Sequence, residues 1–140
     1  MRRQTIGTLL ILSVAALASA GSAQKLNRPR LDLRASPRVA FSPAIVLLTA
    51  ELVGGDEVED FYCPSLEWEW GDGGRSAHES DCPPYQTGSQ LERRYTAEHG
   101  FRQAGDYNVK VTMRRSGRVL ATASARIALR PGFGDIRAGE

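Results

Sequence analysis

Leu66-Glu67-Trp68-Glu69-Trp70, followed by Gly71-Asp72-Gly73-Gly74, is the stretch of sequence that decides the fold. Apolar and acidic residues alternate through its first half, which is the two-residue period of a β-strand with one buried face. Both tryptophans fall on the apolar face, where they can fill the space between two sheets. Glycine accepts positive φ and Asp72 can bond to its own backbone, so a tight turn is expected after Trp70.

Strand patterns continue on both sides of this stretch. Residues 44–53 are short and rich in β-branched side chains, which predicts a buried strand. Residues 107–113 and 119–129 alternate on either side of a turn, which predicts a hairpin whose last strand has Val119 and the following odd-numbered residues on one face. Residues 75–90 are polar and are interpreted as a long loop. The fold class predicted from these patterns is all-β, a sandwich of six or seven short strands.

The first 23 residues have the layout of a secretory signal. Arg2 and Arg3 form a positive region, residues 6–20 are apolar or small, and small-residue cleavage patterns end at Ala20 and Ala23. The apolar run is short for a membrane span, which needs about 20 residues. We therefore predict a signal peptide over residues 1–23 and a secreted or periplasmic mature chain without a membrane span. An uncleaved N-terminal anchor is the alternative.

Removal of the signal changes the charge balance. The whole chain has 18 Lys and Arg against 16 Asp and Glu, and the signal holds two of the arginines and no acid. The mature chain therefore carries 16 residues of each sign. A nucleic-acid partner is excluded, because such binding needs a positive field that neutralises phosphates.

Cys63 and Cys82 are the two cysteines of the chain. An even pair in an exported protein suggests a disulfide. Such a bridge would tie together the segments that flank the tryptophan strand. The alternative is a metal site that adds His78 and His99, but no CxxC or HxxxH pair is present.

Two segments resemble the PKD (polycystic-kidney-disease repeat) domain family. Trp68-Glu69-Trp70-Gly71-Asp72-Gly73 is similar to the family motif W-x-F/W-G-D-G. A second motif, H-x-Y/F-x-x-x-G-x-Y-x-V-x-V, is matched by His99, Phe101, Gly105, Tyr107, Val109 and Val111. The resemblance covers residues 34–129 and implies an immunoglobulin-like sandwich of about seven strands in which these motif residues are structural. It leaves residues 24–33 as an extended leader, in which a first edge strand is considered near Leu31 to Leu33, and residues 130–140 as a flexible tail.

No catalytic group is predicted. Glu67 and Glu69 lie two residues apart and could act as a carboxylate pair, but a solvent-facing row paired with basic residues such as Lys110 is the simpler interpretation. No cofactor is predicted either. Some PKD domains bind calcium, so the resemblance leaves calcium open at Asp72 and Asp56, although no D-x-D-x-D-G pattern is present.

Aromatic residues beside the two cysteines are the candidate ligand contacts. Phe61, Tyr62 and Tyr85 could present rings on a bridged loop, or Phe61 and Tyr62 could plug the end of the sandwich. The function predicted is a non-catalytic exported module that binds an extracytoplasmic protein or polysaccharide. Two alternatives are a structural or adhesive subunit that assembles through sheet edges, and a small secreted hydrolase that uses Glu67 and Glu69.

Overall fold

The computed structural model describes residues 27–55 and 59–133. Eight β-strands form within these residues: β1 (Arg30–Ser36), β2 (Val39–Phe41), β3 (Ala44–Val53), β4 (Ser65–Glu69), β5 (Arg75–Glu79), β6 (Arg94–Phe101), β7 (Gly105–Arg115) and β8 (Arg118–Arg130). The one other regular element in this part of the chain is a 3₁₀ turn at Glu59–Phe61. No helix in the described ranges has the length and apolarity to cross a membrane. The predicted signal peptide lies outside them.

The strands form two sheets that pack face to face. One sheet has the order β1-β3-β6 and the other the order β2-β8-β7-β4-β5. Neighbouring strands are antiparallel except β2, which runs parallel to β8. The predicted all-β, immunoglobulin-like sandwich is confirmed, and the three-residue β2 brings the number of strands to eight in the described residues.

The core lies between the two sheets. Alternate residues of β3 (Val46, Leu48, Ala50 and Leu52) point into it and are almost fully buried. The other face of β3 is open, with Ile45 70% and Leu47 38% exposed. The prediction of a strand over residues 44–53 is correct, but it is buried on one face only, because the sandwich has no third layer.

Residues 75–90 do not form a continuous loop. Residues 75–79 are β5, which pairs with β4 from Glu69 opposite Arg75 to Ser65 opposite Glu79. Every side chain of β5 is exposed. The turn after Trp70 brings β5 back along β4, and backbone pairing therefore forms a strand that has no apolar alternation to reveal it.

A β-bulge breaks the predicted parity of the last strand. Met113 pairs with Ala121, but Arg114 pairs with Val119, so Leu120 is an extra residue in β8. Leu120 turns into the core and Val119 is 49% exposed. From Ala121 onward the odd-numbered residues of β8 face the core. Before Ala121 this order is reversed, because one extra residue in a strand exchanges the two faces for the residues that precede it.

Ordered structure extends past residues 34–129 at both ends. Strand β1 begins at Arg30 and contains Leu31 to Leu33, where an edge strand was considered, and β8 ends at Arg130. Beyond β8, the Gly132 amide donates to Ser42 Oγ at 3.3 Å, and the Ser42 amide donates to the Arg130 carbonyl at 2.9 Å. Backbone pairing, which does not depend on the motif residues, extends the sandwich on both sides.

Candidate functional site

A disulfide closes the open end of the β4–β5 hairpin. Cys63 and Cys82 are bonded, with their Cα atoms 6.0 Å apart, which confirms the predicted bridge. Cys63 lies just before β4 and Cys82 just after β5. Both sulfurs are consumed by the bridge, so the alternative metal site lacks its thiolate ligands. In the described ranges no three His, Cys, Asp or Glu side chains are grouped as metal ligands.

Two tyrosines lie beside this disulfide. The rings of Tyr62 and Tyr85 meet edge to face, with 5.3 Å between centroids and 67° between planes. The Tyr62 hydroxyl donates to the Pro83 carbonyl at 2.9 Å. Both residues are half-buried. The structure thus brings together two of the three predicted contact residues, and each ring keeps an exposed part.

The third predicted contact residue, Phe61, is not at the surface. Its side chain is fully buried in the core. The Arg28 guanidinium lies 5.8 Å from the centre of the Phe61 ring and donates to the Leu120 carbonyl at 3.3 Å. Phe61 therefore plugs the end of the sandwich, which was the alternative role considered for it, because the 3₁₀ turn directs its ring inward.

The motif residues meet at the opposite end of the sandwich. Trp68, Trp70, His99, Phe101 and Tyr107 form a chain of ring contacts with successive centroids 5.5, 4.4, 4.7 and 4.6 Å apart. The Tyr107 hydroxyl donates to the Gln103 carbonyl at 2.7 Å, which closes a corner at the start of β7. These rings bridge the two sheets, and the contacts are those of packing.

Asp72 holds the turn between β4 and β5. Its Oδ1 accepts the Gly74 amide at 2.9 Å, and its Oδ2 accepts His99 Nε2–H at 2.7 Å. The hydrogen bond from His99 is the main reason that the pKa of Asp72 lies below its usual value, and the Gly74 amide adds to it. Both carboxylate oxygens are thus engaged. Asp56 lies outside the described residues, so a calcium site at this pair stays an untested prediction.

The outer face of the five-stranded sheet carries a shallow groove of about 490 Å³ lined by charged residues. Glu67 pairs with Arg114 at 2.9 Å. Glu69 pairs with Arg75 at 2.9 Å and with Lys110 at 3.1 Å. The hydrogen bond and charge of Lys110 lower the pKa of Glu69. The Lys110 ion pair therefore favours the charged form of Glu69, whereas a general acid must hold a proton.

Sequence reasoning missed an apolar surface at the end of the sandwich opposite the disulfide. Phe41 and Phe133 are 70% and 96% exposed and flank a depression of about 420 Å³ together with Pro131 and Gly132. Nothing in the sequence indicates this surface clearly, because its residues are far apart in the chain. Only the parallel pairing of β2 with β8 brings them together.

Similar proteins were found among solved structures only. A scan against protein-family models finds no match, and a search of curated proteins finds none. The PKD domain of an M14-like peptidase from a Thermoplasmatales archaeon is 16% identical, with a TM-score of 0.52 over 76% of this chain and 99% of that one. A CARDB domain from Pyrococcus furiosus, solved in complex with di-metal ions, is 8% identical, with a TM-score of 0.48 over 76% and 96%. The described residues therefore have the immunoglobulin-like β-sandwich fold of PKD domains.

Proposed function

We propose that this chain is an exported, non-catalytic module whose disulfide-braced loop binds an extracytoplasmic protein or polysaccharide. The observation that carries the proposal is the pair of half-buried tyrosines, Tyr62 and Tyr85, beside the Cys63–Cys82 bridge. Binding residues are often found on loops that a rigid scaffold positions, and here the scaffold is the sandwich itself.

The tyrosine pair is ordered before any partner arrives. The disulfide joins Cys63, the neighbour of Tyr62, to Cys82, three residues before Tyr85, and the Tyr62 hydroxyl donates to the Pro83 carbonyl. A little further on, Gln86 and Ser89 close a turn through two hydrogen bonds of 2.9 Å. Tyrosine combines a large apolar ring with a polar tip and loses little conformational entropy on binding. A preordered pair of rings suits a sugar face or the anchor of a protein interface.

Two further features support export and the lack of catalysis. Disulfides persist in oxidising compartments, so the Cys63–Cys82 bridge agrees with the signal layout of residues 1–23. The carboxylates of the charged groove are neutralised by cross-strand ion pairs, which is the arrangement of a solvated sheet face.

Affinity electrophoresis through gels that contain dextran, xylan or alginate tests the carbohydrate arm. We expect retardation of the wild type by at least one of them and a loss of affinity of about tenfold for Tyr85→Ala. Phe133→Ala is the matched control, because it removes an exposed ring at the other end of the sandwich and should bind like the wild type.

A photo-crosslinking residue at position 85 tests for a protein partner in the host's exported fraction, with position 133 as the control. A discrete adduct that forms at position 85 and not at position 133 supports a protein partner. The proposal is overturned if no polysaccharide retards the chain and position 85 gives no adduct beyond that at position 133.

A further inference from the structure

Strand β5 is an open edge of the five-stranded sheet. It pairs with β4 on one side only, and no other strand of the described residues lies on its outer side. All five side chains, Arg75 to Glu79, are exposed. The strand contains no proline and no bulge, two of the devices that protect an edge from pairing, and its charged residues Arg75 and Glu79 stand at its two ends.

The hydrogen-bond pattern shows which backbone groups face this edge. The Trp70 amide donates to the Gly74 carbonyl at 3.1 Å, so the two residues form a hydrogen-bonded pair of the hairpin. Hydrogen-bonded and non-hydrogen-bonded pairs alternate along an antiparallel ladder. Residues 76 and 78 therefore bond to β4. The N–H and C=O groups of Arg75, Ala77 and Glu79 point outward to the open edge.

The sequence of β5 is complementary to itself in charge. Its order is Arg75-Ser76-Ala77-His78-Glu79, with opposite charges two residues on either side of Ala77. We propose that two copies of this chain pair through β5, antiparallel, about a twofold axis at Ala77. Arg75 of each copy then lies opposite Glu79 of the other. The outward backbone groups of residues 75, 77 and 79 are the ones that this register joins.

Competing registers are poorer. A parallel pairing in register would place Arg75 opposite Arg75 and Glu79 opposite Glu79, and like charges directly opposite are destabilising. An antiparallel shift by two residues keeps the backbone bonds possible but leaves at least one charge opposite Ala77. The centred register alone pairs every charge. Arg75 also pairs with Glu69 of β4 at 2.9 Å, so in the dimer its guanidinium would be shared between Glu69 and Glu79 of the other copy.

The interface is small, so the dimer should be weak and concentration-dependent. A five-residue strand contributes few contacts compared with a stable interface, which buries upward of about 1,000 Å². The Cys63–Cys82 bridge favours pairing, because it holds the open end of the β4–β5 hairpin together and so keeps β5 extended. The pairing uses a different surface from the tyrosine loop and does not depend on a ligand there.

Sedimentation velocity of the mature chain from about 1 μM to about 1 mM tests the dimer. Glu79→Arg places two arginines opposite each other at both ends of the interface and should raise the dissociation constant by about tenfold or more. The double variant Arg75→Glu with Glu79→Arg restores opposite charges and should return the constant to within about threefold of the wild type. Arg126→Glu, on β8 and away from the edge, should have no effect.

Cysteine crosslinking gives a second measurement that does not depend on charge. Across the proposed axis the two Ala77 Cα atoms would lie about 5.5 Å apart, which a disulfide can span. Mild oxidation should convert Ala77→Cys to a covalent dimer, while Ser124→Cys on the same sheet should stay monomeric. The proposal is overturned by a chain that is monomeric at every concentration, by a dimer that Glu79→Arg leaves unchanged, or by equal crosslinking at the two positions.

Discussion

The imidazole of His99 lies flat on the indole of Trp70, with 4.4 Å between ring centroids and 2° between their planes. Trp70 follows β4 in the five-stranded sheet, and His99 belongs to β6 in the three-stranded sheet. The stack therefore joins the two sheets at one end of the sandwich. His99 Nε2–H also reaches Asp72, so a single imidazole links the sheet contact to the turn after β4.

The hydrogen bond between His99 and Asp72 predicts that the stability of the fold decreases at acid pH. The lowered pKa of Asp72 means that its carboxylate stabilises the folded state above the ordinary pKa, near 3.9, and that this stabilisation is lost as the pH falls through the folded pKa. Asp72→Asn should lower the free energy of unfolding at pH 7 by roughly 1–2 kcal/mol. The variant should approach the wild type as the pH falls well below the ordinary pKa of an aspartate.

Urea unfolding at pH 7 and at low pH measures this difference. Asp106→Asn is the control, because Asp106 is exposed and lies outside the turn. A gap between Asp72→Asn and the wild type that stays constant at both pH values would contradict the role assigned to the carboxylate.

The disulfide should stabilise the fold through the loop that it closes. A separation of 19 residues corresponds to about 3 kcal/mol in the chain-entropy model. We expect Cys63→Ser with Cys82→Ser to unfold at a correspondingly lower urea concentration with a similar far-ultraviolet spectrum. Reduced wild-type protein is the control and should unfold at the same urea concentration as the double variant. If the double variant matches the oxidised wild type, the bridge adds no stability.

Two adjacent leucines of β3 test the placement of the core. Leu48 is fully buried, whereas Leu47 is 38% exposed on the outer face of the same strand. Leu48→Ala should cost about 3 kcal/mol of unfolding free energy, and Leu47→Ala less than about 1 kcal/mol. Thermal or urea unfolding gives both values. Equal costs would show that the strand is buried on both faces, and reversed costs would show that it is shifted by one residue.

The two glycines on either side of Asp72 should differ in their tolerance of alanine. Both have positive φ, +83° at Gly71 and +92° at Gly73, so either substitution strains the backbone by about 1 kcal/mol. A Cβ at Gly71 would also lie 2.9 Å from the Asn108 carbonyl oxygen, whereas one at Gly73 meets nothing within 4 Å. Gly71→Ala should therefore lower the melting temperature more than Gly73→Ala. The reverse order would contradict the packing of the turn against β7.

The sequence predicts those parts of the fold that depend on alternating burial. The run from Leu66 to Trp70 and the strands on either side of Ser116 have one apolar face, and each is a strand in the structure. Strand β5 escaped prediction because no side chain of it is buried. The bulge at Leu120 escaped as well, since an extra residue leaves the composition of a strand unchanged and alters only which face each side chain takes.

In the candidate site, too, the sequence predicts some features and not others. The even number of cysteines and the export context predicted the disulfide, because that inference needs only the compartment and the number of cysteines. Which aromatics beside the bridge stay at the surface was not predictable. Phe61 and Tyr62 are neighbours in the sequence, and the direction of the 3₁₀ turn sends one inward and leaves the other half-exposed.

The described chain enters the sandwich at one end and leaves it at the other. Arg28 lies beside Phe61 at the disulfide end, and Phe133 lies beside Phe41 at the opposite end. Tension applied through these two exits would act along the strands, and the hydrogen bonds between β1 and β3 and between β2 and β8 would be loaded together in shear. We therefore expect a module with this layout to resist stretching, because the hydrogen bonds of each strand pair would have to break together.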